Sequence, residues 1–187
     1  GAAGATSRAD GTVDANTRIA YSCNGGICVI YPDGSGRQQL TRDLFIDSYP
    51  SWSPDGRSIA FTGNLGRTVI DVINADGSAR RRLTPRSGDD ALPAWSPDGT
   101  GVLLVSTRGH GWGSGGLWRM EARPGAPMRE IRDEETNWKA RPDWSPDGKR
   151  VVYSSYLGSQ RNHLWMTTAT GGDPLQLTYC DCDHTAP

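Results

Sequence analysis

The stretch Ser51-Trp52-Ser53-Pro54-Asp55-Gly56 returns as Ala94-Trp95-Ser96-Pro97-Asp98-Gly99 and again as Asp143-Trp144-Ser145-Pro146-Asp147-Gly148. Trp52 and Trp95 are 43 residues apart, and Trp95 and Trp144 are 49 apart. A period of this size marks a tandem repeat, and a repeat outranks local propensity as evidence for a fold. The chemistry of the motif is that of a tight turn. Proline presets φ at the second turn position, and glycine accepts the left-handed conformation that closes the turn. Each copy is followed by a short β-branched or aromatic run: Ile59-Ala60-Phe61, Val102-Leu103-Leu104-Val105 and Val151-Val152-Tyr153. Such runs between turn signals read as strands.

Working outward, Val69-Ile70-Asp71-Val72-Ile73 alternates until Asp76-Gly77, a strong hairpin signal. Asp33-Gly34-Ser35 matches Asp76-Gly77-Ser78 one period earlier, and Leu40-Thr41, Leu83-Thr84 and Leu177-Thr178 close their units. Four short antiparallel strands per unit is the pattern of a β-propeller blade, and no 3.6-residue periodicity competes with it. The expectation is an all-β chain of about four four-stranded antiparallel blades, over residues 18–41, 49–84, 92–131 and 141–178. Residues 1–17 read as an extended arm and 179–187 as a tail. Trp52, Trp95 and Trp144 are expected to point into the packing between units. The first unit has no turn motif ahead of it and so lacks its inner strand. Asp183-His184-Thr185-Ala186-Pro187 is similar to the linkers that precede each repeat. The ring is therefore either closed by this tail, which would supply the missing strand, or incomplete.

The W-S-P-D-G core, the I-A-F-type strand after it, the A-D-G-S turn and the terminal L-T together resemble the TolB-type, WD-like propeller repeat, across residues 18–178. That resemblance implies the propeller fold and says little of activity, since propellers host many unrelated functions. TolB-like rings usually have more than four blades. TolB-like propellers also precede hydrolase domains, and related propellers act as glycan lyases with metal-bound histidines.

Composition narrows the field. The 187 residues include 24 glycines and 12 prolines, which suit a chain that turns often, and seven tryptophans and six tyrosines, which argue against disorder. A net charge of −1 gives no nucleic-acid footprint and no polybasic membrane patch. No apolar run is long enough to span a bilayer. The four cysteines form two close pairs, Cys23/Cys28 and Cys180/Cys182. Cys23 and Cys28 flank a glycine turn where a cross-hairpin disulfide is reasonable, but either tail cysteine could reach them instead, so three connectivities stay open. The even cysteine count, with a first residue, Gly1, of the kind left by signal-peptide removal, points to a periplasmic or extracellular location in the bacterial envelope.

Blade topology divides the loops. Turns between strands one and two, and between three and four, share one face and are repetitive here. The other face carries the variable segments 22–26, 62–67, 106–116 and 154–162, with the interblade segments 42–49, 85–92 and 132–141. Binding residues gather on variable loops held by a rigid scaffold. Arg108, His110 and Trp112 on a glycine-rich loop, with Trp138, Tyr156 and Arg161, are the candidate protein-binding residues; the alternative for the 108–116 loop is a solvated hairpin tip. Asp55, Asp98 and Asp147 are explained by their turns. No catalytic set and no metal motif is recognisable, and no cofactor is implied; Cys180-Asp181-Cys182-Asp183-His184 is dense in potential ligands, but a disulfide-bearing linker accounts for it better. The expected function is a non-enzymatic interaction or scaffold module, an exported accessory subunit docking another protein of a membrane-associated or multi-subunit complex. The alternatives are the propeller portion of a hydrolase or glycan lyase, or a propeller that binds a sugar or small ligand.

Overall fold

The computed structural model describes residues 17–42, 46–64, 66–109, 114–137, 141–156, 161–179 and 183–184, which hold 15 strands and no helix. Blade 1 is a three-stranded meander of β1 (Ile19–Cys23), β2 (Gly26–Ile30) and β3 (Gln38–Gln39). Blade 2 comprises β4 (Ser48–Trp52), β5 (Ser58–Asn64), β6 (Thr68–Asn74) and β7 (Arg81–Arg82). Blade 3 comprises β8 (Asp90–Trp95), β9 (Gly101–Ser106), β10 (Ser114–Glu121) and β11 (Met128–Asn137), and blade 4 comprises β12 (Asp143–Trp144), β13 (Arg150–Ser155), β14 (His163–Thr168) and β15 (Leu175–Gln176). Every pairing is antiparallel, and one bridge between Thr136 and Ser155 joins blades 3 and 4 into a single eight-stranded sheet. Four antiparallel blades, the first without its inner strand, are what the repeat predicts. Among the described residues, no sheet joins blade 4 back to blade 1.

The repeated motif works as one hydrogen-bonded device. In each copy the serine hydroxyl donates to the aspartate two residues on: Ser53 to Asp55 at 2.6 Å, Ser96 to Asp98 at 2.5 Å, and Ser145 to Asp147 at 2.6 Å. The same carboxylate accepts the N–H of Arg57, Thr100 or Lys149, each at 3.0 Å. The glycine N–H bonds the serine carbonyl at 2.9 Å in all three, with φ near +70°. Because the aspartate side chain accepts first from serine and then from the backbone, Asp55, Asp98 and Asp147 are held below the usual carboxylate range. The turn thus accounts for all three aspartates without a ligand.

The Leu-Thr pair that ends a unit is equally specific. Thr41, Thr84 and Thr178 each offer Oγ1 to a backbone N–H of the strand beside them, from Ile27 (2.9 Å), Ile70 (2.9 Å) and Leu164 (3.0 Å). Ile131-Arg132 takes this place in blade 3, where Leu117 pairs with Arg132.

Blades stack forward face on rear face. The forward face of blade 1 (Ala20, Ile27, Val29, Leu40) receives Trp52, Ile59, Phe61 and Ile73 of blade 2. The forward face of blade 2 (Ala60, Ile70, Val72, Leu83) receives Trp95, Val102, Leu104 and Met120. That of blade 3 (Leu103, Leu117, Ile131) receives Trp144, Val151, Tyr153 and Trp165. The repeat tryptophans therefore lie in the seams, and Trp144 Nε1 also donates across its seam to the Ala94 carbonyl at 3.1 Å. At the bottom of the last seam, a Cβ on Gly171 would stand 2.1 Å from the Ile131 carbonyl oxygen, and its φ is +87°. Only glycine fits there.

A candidate protein-docking face

The turn after each second strand and the segment that enters the next blade are tied together, and this defines the variable-loop face. Asp47 N donates to the Gly25 carbonyl (2.9 Å) and Tyr49 N to Ser22 Oγ (3.2 Å). One blade on, Thr68 N donates to Asp89 Oδ1 (3.0 Å) and Leu92 N to Thr62 Oγ1 (3.0 Å). Beyond blade 4, Asn162 N donates to Asp183 Oδ1 and His184 N to the Asn162 carbonyl, both at 2.9 Å.

Buried ion pairs pin these crossings. Asp47 is buried and takes both terminal nitrogens of Arg80 at 3.1 Å, while Arg80 also reaches Asp71 at 2.7 Å and lies over the Phe61 ring. Asp90, one period after Asp47, is fully buried and pairs with Arg108 at 2.5 Å, with the Ser106 hydroxyl as a further donor. Buried charges are tolerated only when paired and hydrogen-bonded in this way.

Arg108 is therefore engaged inward. Its guanidinium bonds Asp90, Ser87 and the Pro85 carbonyl, and its side chain is 15% exposed. It shapes the 85–90 crossing by holding it onto β9. Tyr156 follows β13 and is exposed, and Arg161 lies 3.8 Å from Asp183, both half exposed. His110, Trp112 and Trp138 lie outside the described residues, as do Cys180 and Cys182. Cys23 and Cys28 are joined by a disulfide, with Cα atoms 5.8 Å apart.

Sequence reading missed three exposed apolar side chains on this face: Ile46 (64% exposed), Tyr49 and Tyr179 (75%). Tyr49 is the informative one. It sits at an irregularity in β4, with φ +53°, and its counterpart Leu92 has φ +60°. Non-glycine residues held in this region are uncommon and costly. The same kink buries Leu92 and exposes Tyr49. A Tyr-Pro and a Leu-Pro before the repeat tryptophan marked the position, but nothing in the letters told the outward one from the inward one.

Of the seven exposed large apolar side chains among the described residues, Ile46, Tyr49, Tyr156 and Tyr179 are on this face. Ile19, Leu175 and Leu177 lie on blade surfaces, and none belongs to a Ser-Pro-Asp-Gly turn. Among the described residues, no three His, Cys, Asp or Glu side chains stand together as metal ligands, and no helix is long and apolar enough to cross a membrane.

No protein-family model matches the chain, and no curated protein does. Solved structures do. A protein assigned as TolB from Agrobacterium tumefaciens superposes with TM-score 0.72 at 24% identity, over 85% of this chain and 59% of its own. TolB from Acinetobacter baumannii gives 0.75 at 22% identity, over 90% of this chain and 42% of its own. An oligogalacturonate lyase in complex with manganese gives 0.61 at 16% identity, over 83% and 42%. The chain thus spans about half the length of these proteins. Likeness at this level of identity carries the fold and no activity, and the fold it carries is that of a TolB-like β-propeller.

Proposed function

We propose that this chain is a non-enzymatic protein-interaction module of the bacterial envelope, exported as an accessory subunit, which docks a partner protein through its variable-loop face. The observation that carries the reading is the segregation of exposed aromatic side chains. Tyr49, Tyr156 and Tyr179 stand on one face, Tyr49 on a crossing locked by the buried Asp47–Arg80 pair, while the opposite face is made of self-satisfied turns. Rigid aromatic anchors with a polar tip are what protein interfaces favour. Arg161 borders the patch, and Arg108 contributes by fixing the loop geometry. The disulfide between Cys23 and Cys28 supports an oxidising compartment.

The test is recovery of a partner from envelope extract. A Tyr49→Ala/Tyr156→Ala variant should lose it, whereas Arg57→Ala/Lys149→Ala, on the turn face, should retain it. Equal recovery by both variants would refute the reading.

A further inference from the structure

The seam between blades 2 and 3 opens on the turn face as a cleft of about 270 Å³, walled by Asp55 and Ser58 on one side and by Trp95 and Asp98 on the other. Its carboxylates are not used up by their turns. Asp55 and Asp98 accept all their hydrogen bonds through Oδ1, and among the described residues Oδ2 of each has no hydrogen-bond partner. Trp95 is only half-buried, so an aromatic wall stands beside the acidic ones.

One seam further on, the corresponding place is filled by the chain itself. Strand register equates Arg119, which pairs with Leu103, with Val72, which pairs with Ala60. Gly101 takes the place of Ser58, since the N–H of each bonds the serine hydroxyl of its own turn. Trp144 and Asp98 then correspond to Trp95 and Asp55. The Arg119 guanidinium lies 5.3 Å over the Trp144 ring. A Cβ on Gly101 would stand 3.5 Å from Arg119 Nε. Asp98 is held below the usual carboxylate range by its bonds from Ser96 and Thr100 first, and by the charge of Arg119 as well. Between blades 3 and 4, therefore, a guanidinium sits among tryptophan, turn aspartate and residue 101. Between blades 2 and 3 the same three walls are present, but Val72 is wholly buried in the core and too short to reach them.

We infer that the cleft between blades 2 and 3 binds a small guanidinium compound, its head lying over Trp95 and against the Asp55 carboxylate as Arg119 lies against Trp144 and Asp98. A cation over an indole face is drawn by the ring quadrupole. A planar guanidinium also offers the paired donors that a carboxylate accepts. A neutral or anionic ligand gains from neither wall. The cleft is on the face opposite the variable loops, so the site is independent of the docking reading.

The experiment follows the tryptophan indole N–H signals of the 187-residue chain by NMR during titration with butylguanidinium, with uncharged butylurea as a control of similar shape. Butylguanidinium should move the Trp95 signal and saturate in the roughly millimolar range expected of one cation–π contact and one exposed ion pair. The Trp144 signal should stay still, because Arg119 covers that ring. Asp55→Asn keeps the turn acceptor and should weaken binding by roughly 2- to 5-fold, whereas Asp147→Asn should leave it unchanged. Arg119→Val, which copies Val72, should open the second seam and bring Trp144 into the titration. The remainder of each spectrum reports that the variant is folded. A Trp95 signal that ignores butylguanidinium, or that answers butylurea equally, overturns the inference. So does binding insensitive to Asp55→Asn, or an Arg119→Val variant in which Trp144 stays silent. A Gly-Arg-Gly peptide that bound far more tightly than butylguanidinium would place a protein's arginine in the cleft and overturn the small-molecule assignment.

Discussion

Thr84→Val isolates the role of the Leu-Thr repeat. The substitution preserves shape and burial but removes the oxygen that accepts the Ile70 N–H at 2.9 Å, at a site 1% exposed. Leaving a buried donor unsatisfied costs about 1–3 kcal/mol. For a chain of this size each kcal/mol lowers Tm by about 2–4 °C, so the variant should melt roughly 2–12 °C below the wild type. Thr178→Val supplies the internal comparison. Thr178 makes the same bond to Leu164 N at 3.0 Å but is only half-buried, so water can replace the lost acceptor. Its cost should stay at about 0.5–1 kcal/mol. Urea denaturation of both variants reads the difference, with hydrogen exchange at the Ile70 amide as a local reporter. A neutral Thr84→Val, or a Thr178→Val as costly as it, would show that the threonines fill space and do not complete the strand ladder.

Arg108→Ala should destabilise the fold by about 3–5 kcal/mol, because it strands the fully buried Asp90, and calorimetry with exchange mapping over 85–90 should locate the damage. A variant with native stability would mean that the pair is dispensable and Arg108 is free to act elsewhere. Acid should unfold the protein through its turns. Asp55, Asp98 and Asp147 have lowered folded-state values, so their stabilisation is fully present above the ordinary carboxylate pKa of about 4 and is lost as pH falls through the lower folded values. Asp98→Asn should therefore flatten the acid limb of a stability-against-pH curve, and an unchanged limb would count against the turns as its source. Replacing Cys23 and Cys28 by serine should cost about 2 kcal/mol, the loop-closure value for so short a loop, measured as a shift in the urea midpoint.

The fold was legible because the repeat is redundant. Three turns with the same serine, proline, aspartate and glycine, and three threonines at strand ends, leave little freedom in where the strands lie. The serine, aspartate, glycine and threonine each make a bond that explains their recurrence, and the proline presets φ. The missing inner strand of blade 1 was legible for the same reason, as the absence of one motif. The docking face was legible only in part. Loop variability located the face, but the pairing of Arg108 with Asp90 spans 18 residues and depends on a crossing that no local pattern reveals. Tyr49 and Leu92 show the limit most clearly. They share a position, a following proline, a left-handed φ and a backbone bond to the preceding blade, yet Leu92 packs with Ala91 and Val105 while Tyr49 is exposed.

Photo-cross-linking in cells that express the chain tests the docking claim most directly. A photoreactive residue placed at Tyr49 or at Tyr156 should give a discrete adduct with the same partner protein, and one placed at Arg57 or Lys149 on the turn face should give none. Adducts from the turn-face positions with Tyr49 and Tyr156 silent would contradict the account.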